Sequence, residues 1–371
     1  MEKPGLRSRL WDYFPLKSGH KWLNFLLLLA PVAILLDLVH AAPLLVFIAA
    51  ALAIAPFAGA LGEATEALAA YSGPAVGGML NATLGNATEL IISIFAIRAG
   101  QISVVKASLS GSIIGNLLLV LGLSIVAAGT RRETLNFSRS NASRNSTMLM
   151  IAVAALVMPA VFAITTYGDL EHHNSARLEH LSLWTSGVLI ALYLGDLLFM
   201  FKTHSHGMEQ AKVPEAPDMS KRQALVSLVL ATILIAVLSE ILVAQIEPVT
   251  RALGMTEFFV GVIVVALIGN AAEHSTAVLM ALRNKMDLTM TVAAGSSTQI
   301  ALFVAPVLVF LSLAMGHPMT LLFNGFEIAG LFLSVLVTAM ICYDGETNWF
   351  EGAQLLALYA IVAVAFYFVP E

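Results

Sequence analysis

The stretch Gly85–Ile94, GNATELIISI, carries a carboxylate, Glu89, in the middle of an apolar run. A second stretch, Gly269–Val278, reads GNAAEHSTAV and carries Glu273 at the matching place. An ionised side chain at the centre of a membrane helix costs about 2.5–3.5 kcal/mol on insertion scales, so a carboxylate there has to have a use. In each copy an asparagine, Asn86 or Asn270, stands three residues before the glutamate, and a glycine, Gly85 or Gly269, four before it. Residues three apart share a helix face. Each copy therefore offers a carboxylate and an amide oxygen on one side, and its glycine permits close approach or local unwinding. Ser112, Ser296 and Gln299 on the following helices add neutral oxygens. The donor set is hard oxygen throughout, which suits a calcium ion seeking about 6–8 oxygen ligands.

Two such carboxylates facing one another match one divalent cation, and they equally match protons. Two like charges buried together do not both stay ionised, and they take up protons as a coupled pair. Metal-loaded and proton-loaded states are favoured over the bare dianion. Mutual displacement of this kind is the thermodynamic basis of an exchanger. His274, beside Glu273, replaces Leu90 of the first copy. It is a candidate for tuning proton affinity, with a structural hydrogen bond as the alternative.

The elements that must hold these residues follow from composition. Of 371 residues 58% are hydrophobic and 12% charged, whereas a soluble domain carries about a quarter charged. Apolar runs long enough for helical spans, about 20 residues each, recur from Leu23 onward, and the alternating signature of a membrane barrel is absent. The chain reads as an all-α polytopic membrane protein of about eleven spans, at 23–40, 43–66, 77–98, 107–128, 147–166, 181–201, 223–246, 257–282, 288–314, 319–341 and 352–369. The first is taken as an anchor rather than a signal peptide, because it is long and further spans follow at once. With the N-terminus cytoplasmic, 15 of the 19 Lys and Arg residues fall on the inner side, as the positive-inside rule expects. The expected organisation is a cytoplasmic tail at 1–22, a first helix at 23–40, one five-helix unit at 43–202, a cytoplasmic linker at 203–222 and a second unit at 223–371.

The two halves are related by a constant offset. Gly85 and Gly269 are 184 positions apart, and the same offset pairs Val76 with Val260, Gly77 with Gly261, Glu89 with Glu273, and Gly111-Ser112 with Gly295-Ser296. Two successive helices keep register without a gap, which marks an internal duplication. The glutamates lie on the third and eighth spans. Their places in the order differ by five, an odd number, so the copies run in opposite directions. Inverted repeats with a midplane site are a feature of many secondary transporters.

Other residues are assigned by simpler physics. The lone cysteine, Cys342, excludes an internal disulfide or a cysteine metal site, and no basic patch with interleaved aromatics points to nucleic acid. Asn136, Asn141 and Asn145 begin Asn-x-Ser/Thr triplets in what reads as a Ser/Asn-rich loop. His172, His173, His204 and His206 read as solvated loop histidines. Glu63 and Glu66 close the second span and Glu240 and Glu247 the seventh, with Glu63 and Glu247 paired by the offset. They are either interfacial carboxylates or acids on the access path. Asp344, Glu346 and Glu351 read as a helix-end and loop device.

At these residues the chain resembles a known family. GNATELIIS and GNAAEH resemble the two repeat motifs of the cation/proton exchangers, the Ca2+/H+ antiporter branch of the Ca2+/cation antiporter superfamily. LGEATEALA at 61–69, GGMLNATLGNATELI at 77–91, SEILVAQIEP at 239–248 and YDGETNWFEGAQLLALY at 343–359 agree with it. The resemblance covers essentially the whole chain. It implies one N-terminal helix followed by two inverted five-helix repeats. It also implies Glu89 and Glu273 as paired cation and proton ligands, with Asn86, Asn270, His274, Ser296 and Gln299 lining the site. Many members carry a strongly acidic, Ca2+-binding linker. Here the stretch Lys202–Arg222 has only Glu209, Glu215 and Asp218 among four basic residues, and Gly115 stands where the second repeat has Gln299, with Asn116 adjacent as a possible substitute.

The expected function is antiport of cytoplasmic Ca2+ against external H+ across a lipid bilayer. No cofactor is expected beyond the transported Ca2+ and H+, and no residue pattern assigns an oligomeric state. Compact loops suit a prokaryotic plasma membrane, and a eukaryotic origin would imply a vacuolar one. Proton-coupled exchange of Na+, K+ or Mn2+ is the alternative. An intramembrane metalloenzyme built on Glu273-His274 lacks an HExxH-type pair. A passive channel needs weak, multi-site binding rather than one deep dicarboxylate site.

Overall fold

The computed structural model describes residues 23–170, 175–203 and 219–369. The fold is all-α, apart from a two-residue antiparallel ladder that pairs Leu135 with Thr347 and Asn136 with Glu346. Among the described residues seven helices are long and apolar enough to cross a membrane, or eight if the bent pair Ile246–Leu253 and Glu257–Gly269 forms one span. Leu29–Leu38 and Gly325–Ile341 are shorter apolar helices. The N-terminal tail, His172, His173 and nearly all of the linker, with His204, His206, Glu209, Glu215 and Asp218, lie outside the described residues.

The chain forms two compact units. The first takes residues 1–95 and 194–249, so it draws on both halves of the sequence. Its framework is the long helix Pro43–Gly73 packed along Lys221–Ala244, with Leu29–Leu38 against the former. Small residues make this close approach possible: Ala50, Ala53, Ala64, Ala224 and Ala231 are almost completely buried. Ser220 starts the second helix with a reciprocal capping box to Gln223. The Tyr71 hydroxyl donates to the Met219 carbonyl at 2.9 Å.

The second unit takes residues 96–193 and 250–371. Its spans include Ile102–Gly129, Arg139–Tyr167, Met286–Ala314 and Trp349–Tyr367. Glycines set the tightest crossing. A Cβ on Gly111 would strike the backbone of Val262, and one on Gly261 would lie 2.8 Å from Ala107 Cβ. Glu327 is 2% exposed, and its two carboxylate oxygens accept from the Ser110 hydroxyl at 2.9 Å and the Asn324 N–H at 2.8 Å. Lys106 Nζ donates to the Leu322 carbonyl at 2.9 Å.

Several expected boundaries are corrected. The second span does not stop at 66 but continues to Gly73, where φ is +78°. Glycine alone adopts that backbone readily, and a Cβ on Gly77 would collide with the Ala69 carbonyl of the preceding helix. Glu63 and Glu66 therefore lie within a helix rather than at its end. The expected start of a span at 319 fails because residues 317–324 are irregular and the helix begins at Gly325, capped by Asn324 and Glu327. From Met319 to Phe323 this irregular backbone is buried in protein, with Met319, Leu321, Leu322 and Phe323 at most 2% exposed, the condition under which a membrane protein tolerates such backbone. The Ser/Asn-rich segment is not a loop. Ser138 caps a helix that starts at Arg139, so Asn141 and Asn145 are helical. Asp344 and Glu351 act at the expected helix end: Glu351 completes a capping box with Asn348, and Asp344 accepts from the Glu346 N–H at 3.2 Å.

Candidate cation site

In the first unit, helix Ala87–Arg98 follows a turn at Gly85-Asn86. Asn86 is fully buried, Glu89 is 6% exposed, and Thr88 and Ser93 are buried on the same short helix. The Asn86 carbonyl accepts from the Leu90 N–H at 3.1 Å, which keeps Asn86 and Glu89 in helical register. Gly85 itself stays helical, with φ −56° and ψ −41°, so the expected unwinding does not fall on that glycine. Glu63 is half-buried, while Glu66, Glu240 and Glu247 are exposed.

In the second unit the break falls on Asn270, with φ −97° and ψ +6°, between Ala266–Gly269 and Ala271–Leu282. Its side chain explains the position of the break. Nδ2 donates to the Ala266 carbonyl at 2.9 Å and to Ser112 Oγ at 2.8 Å, and a side-chain bond of this kind competes with the helical backbone pattern. Asn270 Oδ1 is buried and has no hydrogen-bond partner among the described residues, and the same holds for Glu273 Oε2. Buried polar atoms are normally satisfied. Two orphaned oxygens on one helix turn, an amide and a carboxylate, form the arrangement a hard cation or a proton would complete.

The rest of the carboxylate is held by a chain of side chains. The Ser296 hydroxyl hydrogen-bonds Glu273, Asn116 Nδ2 donates to Ser296 Oγ at 3.3 Å, and Asn116 Oδ1 meets His274 Nε2 at 3.0 Å. Ser112, Asn116 and Ser296 are almost fully buried, and Gln299 is half-buried. A small cavity lined by Ser112, Gly115, His274 and Tyr359, among others, opens beside this chain. Both helices that supply the serines pass into a π-helical turn, Gly115–Val120 in one and Ile300–Val304 in the other. Shifting the first by 184 gives 299–304, so the duplication seen in sequence recurs in the backbone. π-turns frequently mark functional sites. Among the described residues no three His, Cys, Asp or Glu cluster as a metal site, so any cation here would rely on amide, hydroxyl and carboxylate oxygens together.

Thus the expected residues Ser112, Asn270, Glu273, His274 and Ser296 come together in one unit, and Gly85, Asn86 and Glu89 sit in sequence in the other. Tyr359 and Thr88 were not anticipated, and Asn116 appeared only as a possible stand-in for the amide missing at Gly115. Their sequence signal is weak. Tyr359 ends a motif of the resemblance without chemistry of its own, and Asn116 stands out only because its counterpart 184 positions on is Ile300.

Comparison with known proteins decides the family. The model for the sodium/calcium exchanger protein family matches residues 42–202 and 223–368. The chain belongs to that family. Among its relatives, a Ca2+/H+ antiporter of Aphanothece halophytica is 44% identical over 93% of this chain and 96% of its own length. One from Synechocystis is 46% identical over 88% and 91%. The solved structure of the Ca2+/H+ antiporter protein YfkE superposes with a TM-score of 0.82 at 38% identity, covering 94% of this chain and all of that one. The all-α membrane architecture is therefore that of the Ca2+/H+ exchangers, the branch the repeat motifs resemble.

Proposed function

We propose that the protein is a secondary antiporter that exchanges cytoplasmic Ca2+ for external H+, with Glu89 and Glu273 as the paired ligands of both. The observation that carries the reading is the repeated Gly-Asn-Ala-x-Glu motif with its glutamates inside apolar runs. In the second copy it presents two orphaned oxygens, Asn270 Oδ1 and Glu273 Oε2. The names of the relatives support the ion pair, and the hard-oxygen donor set supports Ca2+ over softer metals. Asn86, Ser112, Ser296 and Gln299 supply neutral oxygens or orient the carboxylates, and Gly85 and Gly269 let the backbones approach. Glu63, Glu66, Glu240 and Glu247 serve the access path, where the exposed ones meet arriving ions first. Residues 43–202 and 223–371 are the two inverted repeats, the N-terminus is cytoplasmic, and the membrane is the plasma membrane in a prokaryote or the vacuolar one in a eukaryote.

The exchange follows from charge. Ca2+ bound between two carboxylates neutralises them, and two protons do the same, so either load leaves the site neutral and able to reorient, whereas the bare dianion is held back. The test is uptake of radioactive Ca2+ into proteoliposomes under an imposed pH gradient. Uptake should follow the gradient, resist excess Na+, K+ and Mn2+, and vanish in Glu89→Gln and Glu273→Gln. Uptake indifferent to the gradient would point to a channel, and strong inhibition by one of the other cations would reassign the substrate.

A further inference from the structure

Apart from Gln299, the proposed ligands are residues that the two repeats share. The asymmetric ones have a different distribution. Gly115 stands opposite Gln299, Asn116 opposite Ile300 and His274 opposite Leu90, and all three departures gather on the chain that ends at Glu273.

The direction of that chain is fixed by counting protons. Ser296 has one hydroxyl proton, and with Glu273 ionised it goes to that carboxylate. Ser296 Oγ must then accept, which it does from Asn116 Nδ2 at 3.3 Å. The amide of Asn116 is thereby oriented, and its oxygen is left to accept from His274 Nε2 at 3.0 Å. A neutral imidazole carries one ring proton, so the ring of His274 is held with that proton on Nε2. Asn116 is 1% exposed, and its amide, with a donor spent on one neighbour and the oxygen on the other, is the centre of the network. Gly115 makes room beside it: a Cβ there would meet nothing within 4 Å, and the space belongs to the cavity that Ser112, His274 and Tyr359 line. A side chain as long as the glutamine of the other repeat would fill that space.

We propose that Asn116 is a positioning residue for exchange: it commits the Ser296 proton to one oxygen of Glu273, leaving Oε2 as the oxygen presented to the ion, and it holds His274 in one orientation. The inference rests on the reading of Glu273 as a Ca2+ ligand. Asn116 touches no ion itself and acts through Ser296. A ligand would act independently of Ser296, whereas a positioning residue loses its effect once Ser296 is gone.

The experiment is a double-mutant cycle of Asn116→Leu and Ser296→Ala in gradient-driven Ca2+ uptake, with the half-saturating Ca2+ concentration and the maximal rate measured separately. Each single variant should raise half-saturation by several-fold to about tenfold, the range of one lost hydrogen bond. The double variant should be no worse than the worse single one, and the melting temperatures should stay near wild type. Multiplying effects, an unchanged half-saturation in Asn116→Leu, or a fall in melting temperature that accounts for the loss would overturn the proposal. If Asn116→Leu does not reach the membrane, Asn116→Ser, which keeps a donor for Ser296, should show a smaller rise coupled to Ser296 in the same way, and uncoupled behaviour would count against the idea. Absence of gradient-driven uptake in the wild-type protein would instead defeat the antiporter reading, and so separates the two failures.

Discussion

The two copies of the Gly-Asn-Ala-x-Glu motif have the same ingredients in different settings. In the first, Asn86 and Glu89 follow a glycine that stays helical, and the next residue is the apolar Leu90. In the second, the helix breaks at Asn270, whose amide reaches Ser112 and Ala266, and the residue after Glu273 is His274, tied through Asn116 to Ser296. What the copies share is what an ion would need. What they do not share is the residues around the motif: His274 stands opposite Leu90, Asn116 opposite Ile300 and Gln299 opposite Gly115.

That comparison can be broken in graded ways. The largest effect is expected from the shared residues. Glu89→Gln and Glu273→Gln should each abolish gradient-driven Ca2+ uptake, measured in proteoliposomes, because one carboxylate cannot balance a divalent ion. Survival of transport in either would mean that the copies are not equivalent partners. Next comes Gly111, where a Cβ meets the Val262 backbone, set against its repeat mate Gly295, where the nearest atom is Thr291 Cγ2 at 3.9 Å. Gly111→Ala should destabilise by about 1–3 kcal/mol through overpacking. Gly295→Ala should be neutral or stabilising, by up to about 1 kcal/mol from helix propensity. Thermal melting in detergent reads both, and equal responses would contradict the asymmetry of the crossings. A comparable or smaller effect is expected at Lys106, whose repeat mate is Met290. Lys106→Met makes the copies alike there and strips the Leu322 carbonyl of its donor, a loss of about 1–3 kcal/mol, with transport retained. A variant as stable as wild type would show that the irregular segment 317–324 does not depend on this bond.

Much of this was legible before any coordinates. The glutamates stood out because a charge in an apolar run is costly, and the duplication was visible because two helices keep one offset without a gap. The helix breaks were less legible. The path at Gly73 depends on a close approach between two helices that no local pattern announces. The irregular 317–324 carries the apolar run Leu321–Phe323 directly before the next helix, and its end is set by a cap at Asn324. The π-turns at 115–120 and 300–304 follow from no pattern in their local sequence. Asn116 had no signature of its own, because an asparagine next to a glycine reads as a turn residue until its neighbours across the helices are known.

The central claim is that one pair of carboxylates holds either Ca2+ or protons. Calorimetric titration of the purified protein with Ca2+, repeated in buffers of different ionisation enthalpy and at several pH values, counts the protons released per ion bound. The account predicts proton release on binding, a half-saturating Ca2+ concentration that rises as pH falls, and loss of the released protons in Glu89→Gln and Glu273→Gln. Tight Ca2+ binding with no proton release at any pH, or release that persists in both variants, would contradict it.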